Sequence, residues 1–458
     1  MTYRTILEMM HALRRLRARE RWTRSQIEAY QAQALADLRK DAYAHSPFYR
    51  EFHANLAERP LQELPILTKS MLHDHFDEIV SDRAVRLADV TAHVQKVRGA
   101  ERFLGRYIVN ATSGTTGHAS YILYNRAEWA TVLASFSRFE RHVGSIAGAI
   151  RRPRMAIVGS STPWHISARI GATVHSALLP ILRLDVGEPI DEIVGQLNEW
   201  QPDILASYAS MAGILANEQA SGRLQISPRR IVCAAEVLST TLRQRIQAAW
   251  GEVVFNQYGA SEGGTFAVEC ESPYADPHPS HPHTRGLHLF EDLFILEVVD
   301  HQNQPTPPGQ YGDKVLLTVL FNHTQPLIRY ELSDSVRMAA APCSCGRSLA
   351  LIDDVQGRDE EVLRFPGDEG GTVAVHPMVF YRILDATAIG SWQVVQQGGQ
   401  LTLRLSGERQ AIDEQALVNR LQRALTQQHI VLPSIDIQWV ESGARGVTGK
   451  AARIRSRP

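Results

Sequence analysis

The sequence predicts an α/β protein: a large N-terminal domain with parallel-rich sheets and a β-rich subdomain, followed by a small α+β C-terminal domain. Three observations predict it. Between residues 127 and 257, helical runs alternate with short apolar strand-like runs, the pattern of parallel strands joined by crossover helices. From His288 the texture changes to strand-like segments separated by turns such as Pro307-Pro308-Gly309. Beyond 357–359, strands at 391–396, 400–405 and 435–440 accompany a helix at 413–427.

Each element has a local reason. Thr23 opens a helix with Gln26 three residues on, a capping-box pattern, and Ile27, Tyr30, Ala34, Leu38 and Ala42 follow at helical spacing. The helix stops at His45-Ser46-Pro47, because proline disfavours a helical residue before it. The arginine-rich run 14–21 ahead of it reads as a solvated helix face or as a contact for an acidic partner. Leu64-Pro65-Ile66-Leu67-Thr68-Lys69 introduces a short helix from Ser70. Residues 127–142, 190–200, 209–219 and 240–250 read as helices, and 154–159, 204–208, 231–234 and 253–257 as buried strands. In the β-rich part, 293–299, 314–320 and 335–338 read as strands.

With 458 residues, 44% of them hydrophobic and 21% charged, the chain is long enough for more than one core. A net charge of −1 supplies no field for nucleic acid or for an anionic membrane, so neither is expected as a partner. The four cysteines, Cys233, Cys270, Cys343 and Cys345, are too few for a disulfide framework and point to a reducing compartment. No signal-peptide core is read at the N-terminus, and a cytoplasmic protein is expected.

The most informative stretch is VNATSGTTGHASYILY at 109–124, where Gly114 and Gly117 sit among Thr112, Ser113, Thr115 and Thr116. Such a loop can wrap an anion, since glycine lets backbone N–H groups face a phosphate and hydroxyls add donors; an ordinary polar turn has the same composition. It is not a G-x-x-x-x-G-K-[ST] loop, because His118 and Ala119 follow Gly117. At 256–264, NQYGASEGG runs from a strand into a glycine-rich turn, and Glu262 there could hold magnesium or cap a helix. In PLIRYELSD at 326–334, Asp334 could accept two ribose hydroxyls or simply form a turn.

Together these stretches resemble the adenylate-forming superfamily, which comprises acyl-CoA synthetases, adenylation domains and luciferases. ATSGTTGHAS is similar to its Ser/Thr/Gly loop, with Ser120 where many members carry lysine, and QYGASE to its Tyr-Gly-x-Thr/Ser-Glu element. HSPFYR, LPILTKSML and PLIRY resemble the phenylacetate-CoA ligase and coenzyme F390 synthetase branch. The resemblance implies nucleotide contacts at Thr112, Ser113, Gly114, Thr115, Thr116, Gly117, Tyr258, Gly259, Ser261, Asp334 and Arg358, with Glu262 serving Mg²⁺ and Arg329 assisting Asp334. It implies a hinge at Asp359 and a catalytic Lys450 in GVTGK, so that 1–356 would be the ATP- and acid-binding domain, 357–360 the hinge and 361–458 a mobile lid. Trp164, His165, Tyr208, Ala235 and Gly259 would line the acid pocket, with Glu236 a wall and not a catalyst.

The activity implied is an AMP-forming ligase that joins an aryl or related small carboxylic acid to CoA through an acyl-adenylate. A carrier-protein phosphopantetheine or an amine as acceptor, and a non-catalytic nucleotide-binding scaffold, are the alternatives. Finally, Cys270, Cys343 and Cys345 with one histidine would make a closed tetrahedral zinc site, or stand as free thiols beside a histidine-rich loop. Similar cysteines in the resembled branch favour the metal, with His283 the first choice as fourth ligand and His288 the second.

Overall fold

The computed structural model describes residues 3–111, 120–138, 153–173, 180–272, 285–356, 363–375, 378–384, 387, 389, 391–406, 409–440 and 454–457. Helix α1 (Tyr3–Arg19) leads into α2 (Arg24–His45). The capping box forms as expected: the Thr23 N–H donates to Gln26 Oε1 at 2.9 Å and the Gln26 N–H to Thr23 Oγ1 at 3.4 Å. Ser46 then serves two helices, its N–H closing the end of α2 and its hydroxyl capping α3 (Pro47–Phe52), with proline in the first turn where no amide donor is needed.

Three short helices follow, α4 (Lys69–Asp74), α5 (Phe76–Ile79) and α6 (Leu87–Lys96), and then the antiparallel pair β1 (Ile108–Ala111) and β2 (Tyr121–Tyr124). Helix α7 (Arg126–Ser137) is buried along most of its length and carries its own capping box at Asn125 and Glu128.

The central sheet has nine strands: β3 (Met155–Gly159), β4 (Ile181–Asp185), β5 (Ile204–Tyr208), β6 (Arg230–Ala234), β7 (Val254–Ala260), β8 (Gly264–Glu269), β9 (Leu287–Leu289), β13 (Ser335–Met338) and β14 (Leu351–Gln356). Their order is β13-β14-β9-β8-β7-β6-β5-β3-β4. The half from β4 to β7 is parallel and the half from β7 to β13 antiparallel. Helices α8 (Ile166–Thr173), α9 (Ile190–Trp200), α10 (Ala209–Ala220) and α11 (Thr240–Trp250) intervene between the parallel strands. The apolar runs of these strands are buried, Leu205, Ile231 and Val254 among them, as a sheet covered by helices demands.

A second sheet, β10 (Phe294–Val299), β11 (Lys314–Val319) and β12 (Tyr330–Leu332), is antiparallel. The strand expected at 335–338 does not join it. It pairs with β14 at the edge of the central sheet, and a bridge from Tyr311 to Arg337 with the bonds from Gly309 N–H to the Met338 carbonyl and Gly312 N–H to the Val336 carbonyl ties it to the connection between β10 and β11.

From Leu363 onward the chain has its own apolar core. Hairpin β15 (Leu363–Pro366) and β16 (Thr372–Val375), helix α12 (Met378–Leu384), strands β17 (Ser391–Gln397) and β18 (Gln400–Ser406), helix α13 (Glu414–Thr426), and strands β19 (Ser434–Trp439) and β20 (Ile454–Arg457) enclose it. Leu417, Leu421 and Leu425 form the buried stripe of α13, at the four-residue spacing of one helix face.

The N-terminal segment is fastened to the rest at several places, among them Arg24 to Glu291, Arg138 to Glu20 and a buried phenol. Tyr49, fully buried, donates its hydroxyl to the Pro326 carbonyl at 2.9 Å and accepts the Ile328 N–H at 3.2 Å. Removing the hydroxyl strands two buried backbone groups, so Tyr49→Phe is expected to lower unfolding free energy by about 1–3 kcal/mol in a urea titration.

Candidate active site and a Cys/His cluster

Ligands in open α/β sheets bind beyond the carboxyl ends of the strands, and here those ends gather polar side chains. Strand β7 delivers Tyr258, whose hydroxyl donates to Asp334 Oδ2 at 3.0 Å, bringing two sequence-expected residues together across the fold. Immediately after Tyr258 the pairing with β8 shifts register. A Cβ on Gly259 would stand 2.3 Å from the Gly264 carbonyl oxygen, and Gly264 itself has φ +86°, so this turn has room for glycine only. The Ser261 carbonyl accepts from the Tyr124 hydroxyl at 2.8 Å.

Glu262 is buried in this turn. Burial pushes the Tyr124, Tyr258 and Tyr330 phenols up, and the Glu262 charge adds to the shift in each case. All three therefore stay protonated around that carboxylate. Tyr330 also hydrogen-bonds Ser120 at the edge of the Ser/Thr/Gly loop. A buried carboxylate oxygen among neutral hydroxyls is a hard-ligand environment that suits magnesium.

Arg329 has a different occupation from the one expected of it. It is buried at φ +50°, its Nε bonds Glu297 at 3.1 Å, and its Nη1 donates to the Leu64 carbonyl. Its guanidinium thus fixes the segment that leads to Asp334.

The expected acid-pocket residues lie on adjoining strand ends. His165 Nδ1 contacts Ser160 Oγ at 2.9 Å, and the Ser160 N–H donates to the Tyr208 hydroxyl at 3.2 Å. Burial holds His165 at about 4, so its ring is neutral at pH 7, and pushes Tyr208 up to about 12. The Trp164 carbonyl accepts the Ala111 N–H at 2.9 Å, which ties this segment to the start of the loop. Ala235 follows β6 with φ +67°, a left-handed conformation that a residue with a Cβ adopts at some cost. Glu236 Oε2 accepts the Ser210 N–H at 2.8 Å, a structural task at the start of α10 in line with a wall residue.

Sequence reasoning missed Ser160 and Asp185. Asp185 ends β4 and accepts the N–H groups of Ser161 and Gly187 at 2.9 and 2.7 Å. Their signal was position alone, a polar residue directly after an apolar strand. Thr112, Ser113, Gly114, Thr115, Thr116, Gly117, Arg358, Asp359, His283 and Lys450 lie outside the described residues.

The cysteines converge. Cys270 follows β8, Cys343 and Cys345 sit on the connection from β13 to β14, and His288 lies on β9 opposite Val268. One ligand atom from each of the four lies within 4.8 Å of all the others. The imidazole in the group is therefore His288, the second choice from sequence. Burial works against a charge on His288, yet the Cys270 and Cys345 sulfurs raise it to about 9, so the group attracts a positive charge to its centre. Three sulfurs and one imidazole are a donor set that zinc takes as a closed tetrahedral site.

No protein-family model matches the chain. Among similar proteins, a phenylacetate-coenzyme A ligase of Thermus thermophilus is 25% identical over 361 residues, which cover 75% of this chain and 73% of that one. A fumarate–(S)-2,3-diaminopropanoate ligase of Enterobacter agglomerans is 22% identical, covering 69% of this chain and 70% of its own. The crystal structure of a 2-hydroxyisobutyryl-CoA ligase in the postadenylation state superposes with TM-score 0.58 at 18% identity, over 96% of this chain and 91% of that one. In fold the chain is similar to an adenylate-forming ligase. In sequence it resembles the phenylacetate-CoA ligase-like branch of that superfamily.

Because Gly259 sits against the Gly264 carbonyl, Gly259→Ala must push that turn apart. The variant is expected to lose about 1–3 kcal/mol of stability, as overpacking does, and to bind MgATP more weakly; unchanged melting together with an unchanged nucleotide titration would remove Gly259 from the site.

Proposed function

We infer that the chain is an ATP-dependent, AMP-forming ligase that activates a small carboxylic acid and passes the acyl group to the thiol of CoA. The observation that carries this reading is the assembly of Glu262, Tyr258 and Asp334 at the carboxyl ends of the parallel strands, in a chain that is similar to a phenylacetate-CoA ligase.

In the first half-reaction a substrate carboxylate oxygen attacks the α-phosphorus of ATP, a P–O bond forms, and the bond to pyrophosphate breaks. No side-chain nucleophile is needed; the protein's task is to place two anions in line and stabilise spreading charge. Asp334, with one oxygen already held by the Tyr258 hydroxyl, accepts from the ribose. The amides and hydroxyls of 112–117 would bind the phosphates, and Arg358 would contact ribose or phosphate. Glu262 would hold Mg²⁺, which would supply positive charge against the phosphates. Lys450 carries positive charge to the pentavalent transition state and the leaving pyrophosphate.

In the second half-reaction a thiolate attacks the acyl carbon, a C–S bond forms, the acyl C–O bond breaks, and AMP leaves with its electron pair. The part from 361 onward, which has its own core, turns about Asp359 to withdraw Lys450 and admit the thiol. Trp164, His165, Tyr208, Ala235 and Gly259 form the acid pocket. Since His165 is neutral, it offers the acid a hydrogen bond without a charge.

A second reading, transfer of the acyl group to an amine, has a specific observation behind it: the relative from Enterobacter agglomerans is named for joining fumarate to a diamino acid. A carrier-protein phosphopantetheine would use the same chemistry as CoA. The Cys270, His288, Cys343 and Cys345 group is proposed to hold structural zinc, with no part in either half-reaction.

Pyrophosphate release with MgATP across aryl, heteroaryl and short-chain acids is expected to depend on one acid class, with acyl-CoA appearing only when CoA is added. Release with no acid dependence would refute the assignment. Lys450→Ala is expected to lower adenylation by about 10²-fold or more while leaving the melting curve in place. Metal analysis should find one zinc per chain, and Cys343→Ser should lower Tm by several degrees; a zinc-free protein of full stability would sink the metal reading.

A further inference from the structure

The sulfurs of the Cys/His cluster are not sealed from solvent. Cys270 and Cys345 form part of the wall of a cavity of about 460 Å³ together with Glu20, Arg21, Arg347 and Ser348. Cys345 is half-buried where Cys270 and Cys343 are buried. Above these sulfurs sits a cation: Arg347 Nη1 lies 3.5 Å from Cys345 Sγ and 3.6 Å from Cys270 Sγ, a contact that favours thiolate. A partly exposed cysteine at a cavity wall, with two further sulfurs within 4.8 Å of its own, is the arrangement of a redox-responsive site, and purely structural cysteines are usually shielded from solvent.

The cluster also stands at a junction. Strand β8, which ends one residue before Cys270, begins two residues after Glu262; β13, which precedes Cys343, begins directly after Asp334; and β14, which follows Cys345, ends directly before the expected hinge. Cys270 is on the order of 20 Å from Glu262 along an extended strand, so an event at the sulfurs reaches the nucleotide site through strands and not by contact.

We propose that Cys270, His288, Cys343 and Cys345 form an oxidant-responsive metal clamp, in which a peroxide entering the cavity oxidises Cys345, a disulfide to Cys270 or Cys343 forms, the metal leaves, and the strands carrying Glu262 and Asp334 loosen. The Cys345 sulfur attacks the peroxide, an S–O bond forms as the O–O bond breaks, and hydroxide departs to leave a sulfenic acid. A second thiolate then attacks that sulfur, an S–S bond forms, and a second hydroxide departs. The two sulfurs together supply the two electrons that reduce the peroxide, the two hydroxides take up two protons from solvent to become water, and zinc leaves without changing oxidation state. This inference rests on the zinc reading above.

The test treats the full chain, purified under reductant, with increasing hydrogen peroxide. Released zinc is followed with a chromogenic chelator, the disulfide is mapped by mass spectrometry, and MgATP affinity is measured before and after. Expected are loss of one zinc per chain, a disulfide that includes Cys345, a several-fold weaker MgATP affinity, and recovery with dithiothreitol and zinc. Cys345→His keeps four metal ligands, so it should hold zinc and resist peroxide. Arg347→Gln should bind zinc and release it more slowly under peroxide. Zinc that stays bound with its thiols unmodified overturns the clamp and leaves the metal reading standing. Zinc released with unchanged MgATP affinity overturns the coupling. A protein that never contains zinc overturns the metal reading, and the clamp with it.

Discussion

The buried ion pair of Arg329 and Glu297 is the constraint on which the nucleotide site depends. Arg329 adopts φ +50°, a conformation that costs energy for any residue with a Cβ, and it does so inside the protein. Four contacts hold it there: Glu297 on β10, the Leu64 carbonyl, Thr318 Oγ1 on β11, and the backbone pairing of Leu67 with Arg329 and Glu331. An unpartnered guanidinium in this place would cost several kcal/mol. The pair therefore forces the N-terminal segment, the three-stranded sheet and the Tyr330–Asp334 stretch into one arrangement. The two short motifs LPILT and PLIRY, more than two hundred residues apart in sequence, are halves of a single contact.

From that anchor the electrostatics of the site follow. Asp334 leaves β12 at a fixed place, within reach of the Tyr258 hydroxyl at the end of β7. Glu262 lies a short turn further on, among phenols that burial keeps protonated. A carboxylate in such surroundings is solvated by fixed hydroxyl dipoles instead of mobile water. Under the proposed function, a position for a metal ion beside that carboxylate would be defined before the ion arrives, and preorganisation of this kind is what electrostatic catalysis requires.

What could be read from the sequence were features whose physics is local. The capping box at Thr23 and Gln26, the stop at Ser46-Pro47, the leucine stripe of α13 and the alternation of strands and helices need only neighbours within a turn or two. The motif residues Tyr258, Glu262 and Asp334 were legible through resemblance, but their contact was not, because the bond from Tyr258 to Asp334 spans 76 positions. The same limit explains His288. The sequence left His283 and His288 both open as the fourth ligand; pairing of His288 with Val268 brings its ring to the residue just past the end of β8. It explains Arg329 too, which was expected to assist Asp334 and instead is held by Glu297. Ser160 and Asp185 carry no motif, and only the parallel order of β4, β3 and β5 makes neighbours of their strand ends.

The Cys/His cluster answers a weakness in the antiparallel half of the sheet. Strand β9 has three residues, and its register with β14 consists of two pairs, Leu351 with His288 and Ile352 with Leu287. So short a ladder, flanked on both sides by strands that lead to catalytic segments, has few hydrogen bonds to hold its register. A metal bound by ligands from β8, β9 and the connection between β13 and β14 would fix that register by coordination bonds where backbone bonds are few. Coordination is also conditional: it depends on deprotonated sulfur and on a reduced state, as a hydrogen-bond ladder does not. A sheet that relies on such a bond at its thinnest point acquires a dependence on redox chemistry that a longer β9 would have avoided.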